Sequence, residues 1–172
     1  QVLEAAPSTA TTKKAATGGN RKKWAYGIAA AVVLVVIGFI AVFLNYSSID
    51  PIVEASIRKH LKKPEGELTK ADLEKVVELN LSGNKLTDVP KGLKKLTQLT
   101  SLRLGANQLT DVKGLEKLTQ LTALRLGGNQ LTDVKGLEKL TRLTFLDLDN
   151  NKLTDVKGLE KLTQLTKLYL GG

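Results

Sequence analysis

The feature that most constrains this chain is a phrase it repeats. Leu-Thr-x-Leu-x-Leu-x-x-Asn-x-Leu-Thr-Asp-Val begins at Leu99, at Leu121 and at Leu143, 22 residues apart each time. It starts once more at Leu165 and stops at Gly172, and a looser copy opens the series at Val76, where Pro90 adds one residue to the tail. A fixed period of this size marks a solenoid, in which each unit is one coil of chain that becomes stable only when stacked on its neighbours. Residues 76–172 therefore read as four complete coils and a truncated fifth.

Within the unit 99–120, Leu102 and Leu104 alternate with Ser101 and Arg103, the period of a half-buried strand. Gly105-Ala106-Asn107 breaks the strand. Leu109, Val112, Leu115 and Leu118 follow at intervals of three, which suits a loose, 3-10-like return path. Stacking pairs each strand with the next in parallel and lines the leucines up in columns. Asn84, Asn107, Asn129 and Asn151 share one equivalent position at the bend, where backbone groups lose their strand partners. A carboxamide both donates and accepts, so these four are expected to form a structural ladder rather than a binding site.

The full pattern Leu-x-x-Leu-x-Leu-x-x-Asn-x-Leu-x-x-Val-x-x-Leu-x-x-Leu-x-x, complete over 99–120 and 121–142, resembles the leucine-rich repeat family. Its 22-residue period is similar to the short class of bacterial internalin-like proteins and of the leucine-rich regulator of protein phosphatase 1. Ile57-Arg58-Lys59 through Gly66-Glu67-Leu68-Thr69 and Asp72-Leu73 resembles the helical lead-in of the bacterial members. The resemblance implies an α/β solenoid: a parallel β-sheet on the concave face, 3-10 and loop structure on the convex side, and an N-terminal helical cap. It also implies protein recognition on the concave face, and it implies no enzymatic activity. The first unit departs from the pattern at Val76 and at Val89-Pro90.

The cap is legible from its own residues. Asp50-Pro51 supplies an N-cap acceptor and a proline at the first helical position. Ile52, Val53, Ser56, Ile57, His60 and Leu61 can share one side of the helix that follows, and Pro64-Glu65-Gly66 ends it. Thr69-Lys70-Ala71-Asp72 has the form of a capping box. Residues 45–75 are thus a juxtamembrane segment and helical cap over the first coil.

Ahead of it, residues 24–44 are 21 residues without a formal charge. As a helix they would span about 31 Å, close to the thickness of a bilayer core. Trp24 and Tyr26 at one end and Tyr46 past the other suit the headgroup zone, and Arg21, Lys22 and Lys23 abut the N-terminal end. The expectation is a single-pass transmembrane helix with residues 1–23, a flexible basic linker, in the cytoplasm and the repeats outside, periplasmic or extracellular. Gly27 and Ala31 form a small-xxx-small pair through which two such helices could make a homodimer.

Net charge is +9, but +5 of it is spread over the solenoid and cap among 21 basic and 16 acidic side chains, a mixed surface and not a nucleic-acid stripe. No cysteine is present and His60 is the single histidine, so no metal site or cofactor is indicated. No phosphate-binding loop, nucleophile elbow or zinc-protease motif occurs, and no catalytic residues are assigned. The Thr-Asp-Val-Lys-Gly-Leu-Glu-Lys block reads as rows of solvating charge. The residues between the strand leucines are where the units differ, and Arg103, Arg125, Phe145, Asp147 and Tyr169 are the candidate ligand contacts. Arg103 and Arg125 should be close neighbours, with Asp147 partly neutralising Arg125. The leading reading is a membrane-anchored module recognising a protein or cell-surface ligand. Two others stay open: the sensor half of a signalling enzyme whose catalytic domain lies upstream, and a structural envelope or adhesion component. Ending on Leu170-Gly171-Gly172 leads one to expect further repeats and a C-terminal cap.

Overall fold

Leu79, Leu102, Leu124, Leu146 and Leu168 stand in one line, the seam along which the coils are joined. The computed structural model describes residues 49–172, which fall within one compact unit, 46–172. Its strands are β1 (Glu78–Asn80), β2 (Ser101–Arg103), β3 (Ala123–Arg125), β4 (Phe145–Asp147) and β5 (Lys167–Tyr169). They pair in parallel in chain order, each residue opposite its equivalent one coil on. The return side carries four 3-10 turns, Leu93–Lys95, Leu115–Lys117, Leu137–Lys139 and Leu159–Lys161.

Burial comes from stacking. The seven apolar side chains of the second coil, Leu99, Leu102, Leu104, Leu109, Val112, Leu115 and Leu118, are all buried, and so are their equivalents in the third. The last coil has a neighbour on one side only. There Leu168 and Leu170 are 41% and 46% exposed, whereas Leu124 and Leu126 are fully buried. The same residue types thus reach the core only when they are covered on both sides, by a coil or, for Leu79 and Leu81 of the first coil, by the helical cap, as expected where one unit has too little apolar area to close on itself.

The bends are held by side-chain amides. Asn107 Nδ2 donates to the Leu104 carbonyl of its own coil and to the Leu81 carbonyl of the coil before. Its Oδ1 accepts from the Asn84 and Leu86 N–H groups. Asn129 and Asn151 repeat the arrangement toward Leu104 and Leu126, accepting from Leu109 and Leu131 respectively. Asn84 is different. It is exposed, and among the described residues its Nδ2 bonds within its own turn, to Ser82 O at 3.1 Å, with no coil before it to offer a second carbonyl. A second column, not read from the sequence, runs through the threonines. Thr122 donates from both N–H and Oγ1 to Thr100 O, and Thr144 and Thr166 repeat this on Thr122 O and Thr144 O.

The acidic side chains of the return side are structural, which corrects their reading as solvating charge. Asp111, Asp133 and Asp155 each accept the N–H two residues on. Glu116, Glu138 and Glu160 each accept a glycine N–H at 2.6 Å. Those glycines start the 3-10 turns at positive φ, +101° at Gly114, a conformation that L side chains rarely adopt. Hydrogen bonds from its own N–H and from Gly114 hold the Glu116 carboxyl below its usual 4.5, and Glu138 is lowered in the same way by its own N–H and Gly136. In the first coil the glutamate position is Lys94.

The cap consists of α1 (Pro51–Leu61) and α2 (Lys70–Glu74). Asp50 Oδ1 accepts from Ile52 N–H, and Val53 and Ile57 are the fully buried side of α1; His60 is exposed. The helix is tied to the first coil by Ser56 Oγ donating to Asn80 O and by Asp50 N–H donating to Lys91 O. At α2, Thr69 and Asp72 form a reciprocal capping box. The Lys63 ammonium, 2.7 Å away, and the Thr69 donors hold the Asp72 carboxyl far below the usual carboxylate range. The linker expected over 1–23, the spanning helix over 24–44 and the Gly27–Ala31 pair lie outside the described residues. Among the described residues no helix is long and apolar enough to cross a membrane.

Two outcomes follow from the columns. Asn129→Ala leaves the buried Leu109 N–H without its acceptor and should cost about 1–3 kcal/mol in urea unfolding, whereas Asn84→Ala should stay within about 0.5 kcal/mol. For the glutamates, folded values below the unfolded one mean that their contribution is complete above 4.5 and is lost as pH falls below it. Urea midpoints should drop on acidification below that point, and Glu116→Gln with Glu138→Gln should flatten the drop while lowering stability at neutral pH.

Candidate binding face

A three-residue strand in this register offers two outward positions per coil, one on each side of the buried leucine. The first positions are Glu78, Ser101, Ala123, Phe145 and Lys167; the third are Asn80, Arg103, Arg125, Asp147 and Tyr169. Every candidate contact named from the sequence lies in these two rows. Glu78, Asn80, Arg103, Lys167 and Tyr169 are exposed, and Ser101, Ala123, Arg125, Phe145 and Asp147 are half-buried.

The centre of the face is a contiguous group that crosses between the rows. The Arg125 guanidinium carbon lies 4.8 Å from the centre of the Phe145 ring. That ring is tilted 43° to the Tyr169 ring, with centroids 5.6 Å apart. Arg103 is in direct register with Arg125 on the adjacent strand. Beside Arg103, the place that Phe145 holds beside Arg125 is taken by Ala123, which offers a methyl group in place of a ring. Arg125 is therefore seated on an aromatic face, an attraction of the cation–π type, while Arg103 has no such seat.

Asp147 does not neutralise Arg125. Its carboxylate turns along its own chain, where Oδ1 accepts from Asp149 N–H at 3.1 Å. This orientation is possible because residue 127, on the neighbouring coil, is glycine. A Cβ there would stand 2.8 Å from Asp147 Oδ1. Neither Arg103 nor Arg125 forms an ion pair among the described residues. The spacing of the two arginines was readable from the repeat, but the stacking and the turned carboxylate were not, since both depend on side-chain rotation. The clue in the sequence was Gly127 lying one coil before Asp149.

The asparagines of the bends lie outside these two rows. Asn107 and Asn129 are buried, with their side-chain polar atoms engaged by backbone groups. No group of His, Asp and Glu among the described residues is placed to hold a metal ion. A double-mutant cycle on Arg125→Ala and Phe145→Ala should give a coupling in unfolding free energy of about 0.5–1 kcal/mol. The same cycle on Arg103→Ala and Phe145→Ala should give a clearly smaller value.

Comparison with known proteins agrees with this architecture. A family model described as Leucine Rich repeats (2 copies) matches residues 74–117, 119–161 and 141–172. No curated protein matches the chain. Among solved structures, an internalin (InlF) from Listeria monocytogenes is 34% identical with a TM-score of 0.66, over 72% of this chain and 36% of that one. Internalin C2 from the same organism is 29% identical with a TM-score of 0.57, over 73% of this chain and 66% of that one. The functional domain of InlJ, also from Listeria monocytogenes and described as including a cysteine ladder, is 29% identical with a TM-score of 0.59, over 71% of this chain and 27% of that one. The present chain has no cysteine; amides occupy its bends.

Proposed function

This chain belongs to the leucine-rich repeat family, and on that premise we propose that it is a membrane-anchored recognition module that binds a protein ligand on the sheet face of its solenoid. The observation that carries the reading is where the coils differ. From the second coil on the leucine, asparagine and threonine columns are kept wherever the chain reaches them, and most of the Thr-Asp-Val-Lys-Gly-Leu-Glu-Lys block recurs. The outward strand positions change at nearly every step and gather Arg103, Arg125, Phe145 and Tyr169 in one patch. Arginine and aromatic side chains are the types enriched where protein interfaces hold most of their binding energy. Similarity to internalins supports an interaction module, and the chain spans 36%, 66% and 27% of the three structures compared.

Membrane anchoring rests on the sequence. The uncharged stretch 24–44 with Arg21, Lys22 and Lys23 at its N-terminal end supports an anchor whose N-terminus is cytoplasmic and whose repeats are extracytoplasmic. The full chain, expressed in bacterial cells, should stay with membranes through an alkaline carbonate wash. Protease added to intact cells should degrade the repeats. Release by carbonate would reject the anchor, and protection of the repeats in intact cells would reject the orientation.

A further inference from the structure

We propose that the Arg103–Arg125 pair is a carboxylate-binding fork, and that the ligand of this face is an extended acidic peptide whose neighbouring apolar side chain packs on Phe145 and Tyr169. This rests on the reading of the sheet face as the binding surface and adds the chemistry of what it binds.

Three observations carry it. First, the parallel register sets two arginines opposite one another on adjacent strands, whose backbone spacing in any sheet is about 4.8 Å. Like charges so placed repel, and no carboxylate of the described residues relieves them. Asp147, the nearest candidate in register, is turned away onto Asp149 N–H through the space left by Gly127. Second, the two arginines differ. Arg125 is held over Phe145 while Arg103 is exposed, so one donor group is positioned and the other is free to close on an incoming anion. Guanidinium groups present planar, paired donors that match a carboxylate. Third, the ring pair lies on the next two strands, and an apolar side chain there would sit about two strand spacings, or 10 Å, from the centre of the fork. An extended peptide crossing the strands covers that distance in about three residues.

The surroundings favour a peptide over a polyanion. In their row the two arginines are bounded by Asn80 on one side and Asp147 on the other, so the basic run is two residues long and suits a single carboxylate. The two rings are tilted to one another, forming a ridge for a side chain rather than a flat platform for a sugar ring.

The test is selection of a displayed random dodecapeptide library on the full chain in detergent. The peptides recovered should carry Asp or Glu two to four positions from an aromatic or large aliphatic residue. The best of them, made synthetically and labelled, should bind with an affinity that weakens as salt rises. Arg103→Glu with Arg125→Glu should lower that affinity by about tenfold or more, and selection on this variant should recover Lys or Arg at the acidic position. Arg103→Lys with Arg125→Lys should keep part of the affinity, because charge survives and the paired donors do not. Both positions lie outside the core, and an unchanged urea midpoint would show that the variants remain folded. Peptides without an acidic residue, affinities indifferent to the arginine substitutions, or recovery of no peptide would overturn the fork. Binding of a sulfated or sialylated glycan in place of peptide, lost in the Arg103→Glu, Arg125→Glu variant, would overturn it in favour of a carbohydrate ligand. Phe145→Ala with Tyr169→Ala separates this failure from failure of the wider reading. Loss of peptide binding there, with indifference at the arginines, would leave the sheet face as the binding surface and reject only the fork. Indifference at all four positions would reject both.

Discussion

A carboxamide that donates to two coils and accepts from the backbone of the earlier one is the interaction on which the rest of this stack depends. Each strand is three residues long, so the sheet contributes few ladder hydrogen bonds per coil. Leucine burial is strong but has no direction, and a column of leucines alone would tolerate coils that slide or rotate on one another. Asn107, Asn129 and Asn151 remove that freedom. Each joins a carbonyl of its own coil to one of the coil before, and each accepts an N–H that the bend would otherwise leave buried and unpartnered. The threonine column does the same at the other end of the strand, where N–H and Oγ1 converge on one carbonyl.

With both ends of every strand held, the outward positions are spaced by the backbone and not by one another. A residue can then change without disturbing its neighbours, which is how one scaffold carries Glu78, Ser101, Ala123, Phe145 and Lys167 at the same position of successive coils. The return side has less freedom, because its carboxylates are engaged. Asp111 and Glu116 accept backbone N–H groups around a turn that begins at a glycine of positive φ, and each later coil repeats the set. The carboxylates that recur on the return side are those that satisfy backbone, whereas the strand positions that vary do not.

What the sequence revealed, and what it concealed, divides along the same line. The leucine columns, the coil length, the parallel register and the capping residues Asp50, Thr69 and Asp72 are legible because they depend on period and local chemistry. Glu116 and its equivalents look like surface charge in a sequence, since nothing in the letters shows a carboxylate folding back two residues to a glycine. Asn84 looks like its three successors, yet it lacks the preceding coil that gives them their second partner. On the binding face, the positions of Arg125, Phe145 and Asp147 follow from register, but their contacts follow from rotamers. Those rotamers are decided by neighbours on the adjoining coil, such as Gly127 making room for the Asp147 carboxylate.

The arginine pair shows what such a scaffold can sustain. In a flexible loop, two guanidinium groups in register would move apart, and their repulsion would be relieved by motion. Here the backbone beneath them is clamped by Asn107 and Asn129, so the two side chains stay rooted one strand apart and only the exposed Arg103 can swing away. A carboxylate lying between the two roots would be attracted by both charges at once. Seating Arg125 on Phe145 also lowers the conformational freedom that binding would otherwise have to restrict. Rigidity supplied by buried amides thus becomes recognition at the surface: the more firmly the coils are registered, the more sharply the charge pattern on their outward side selects what can lie across it.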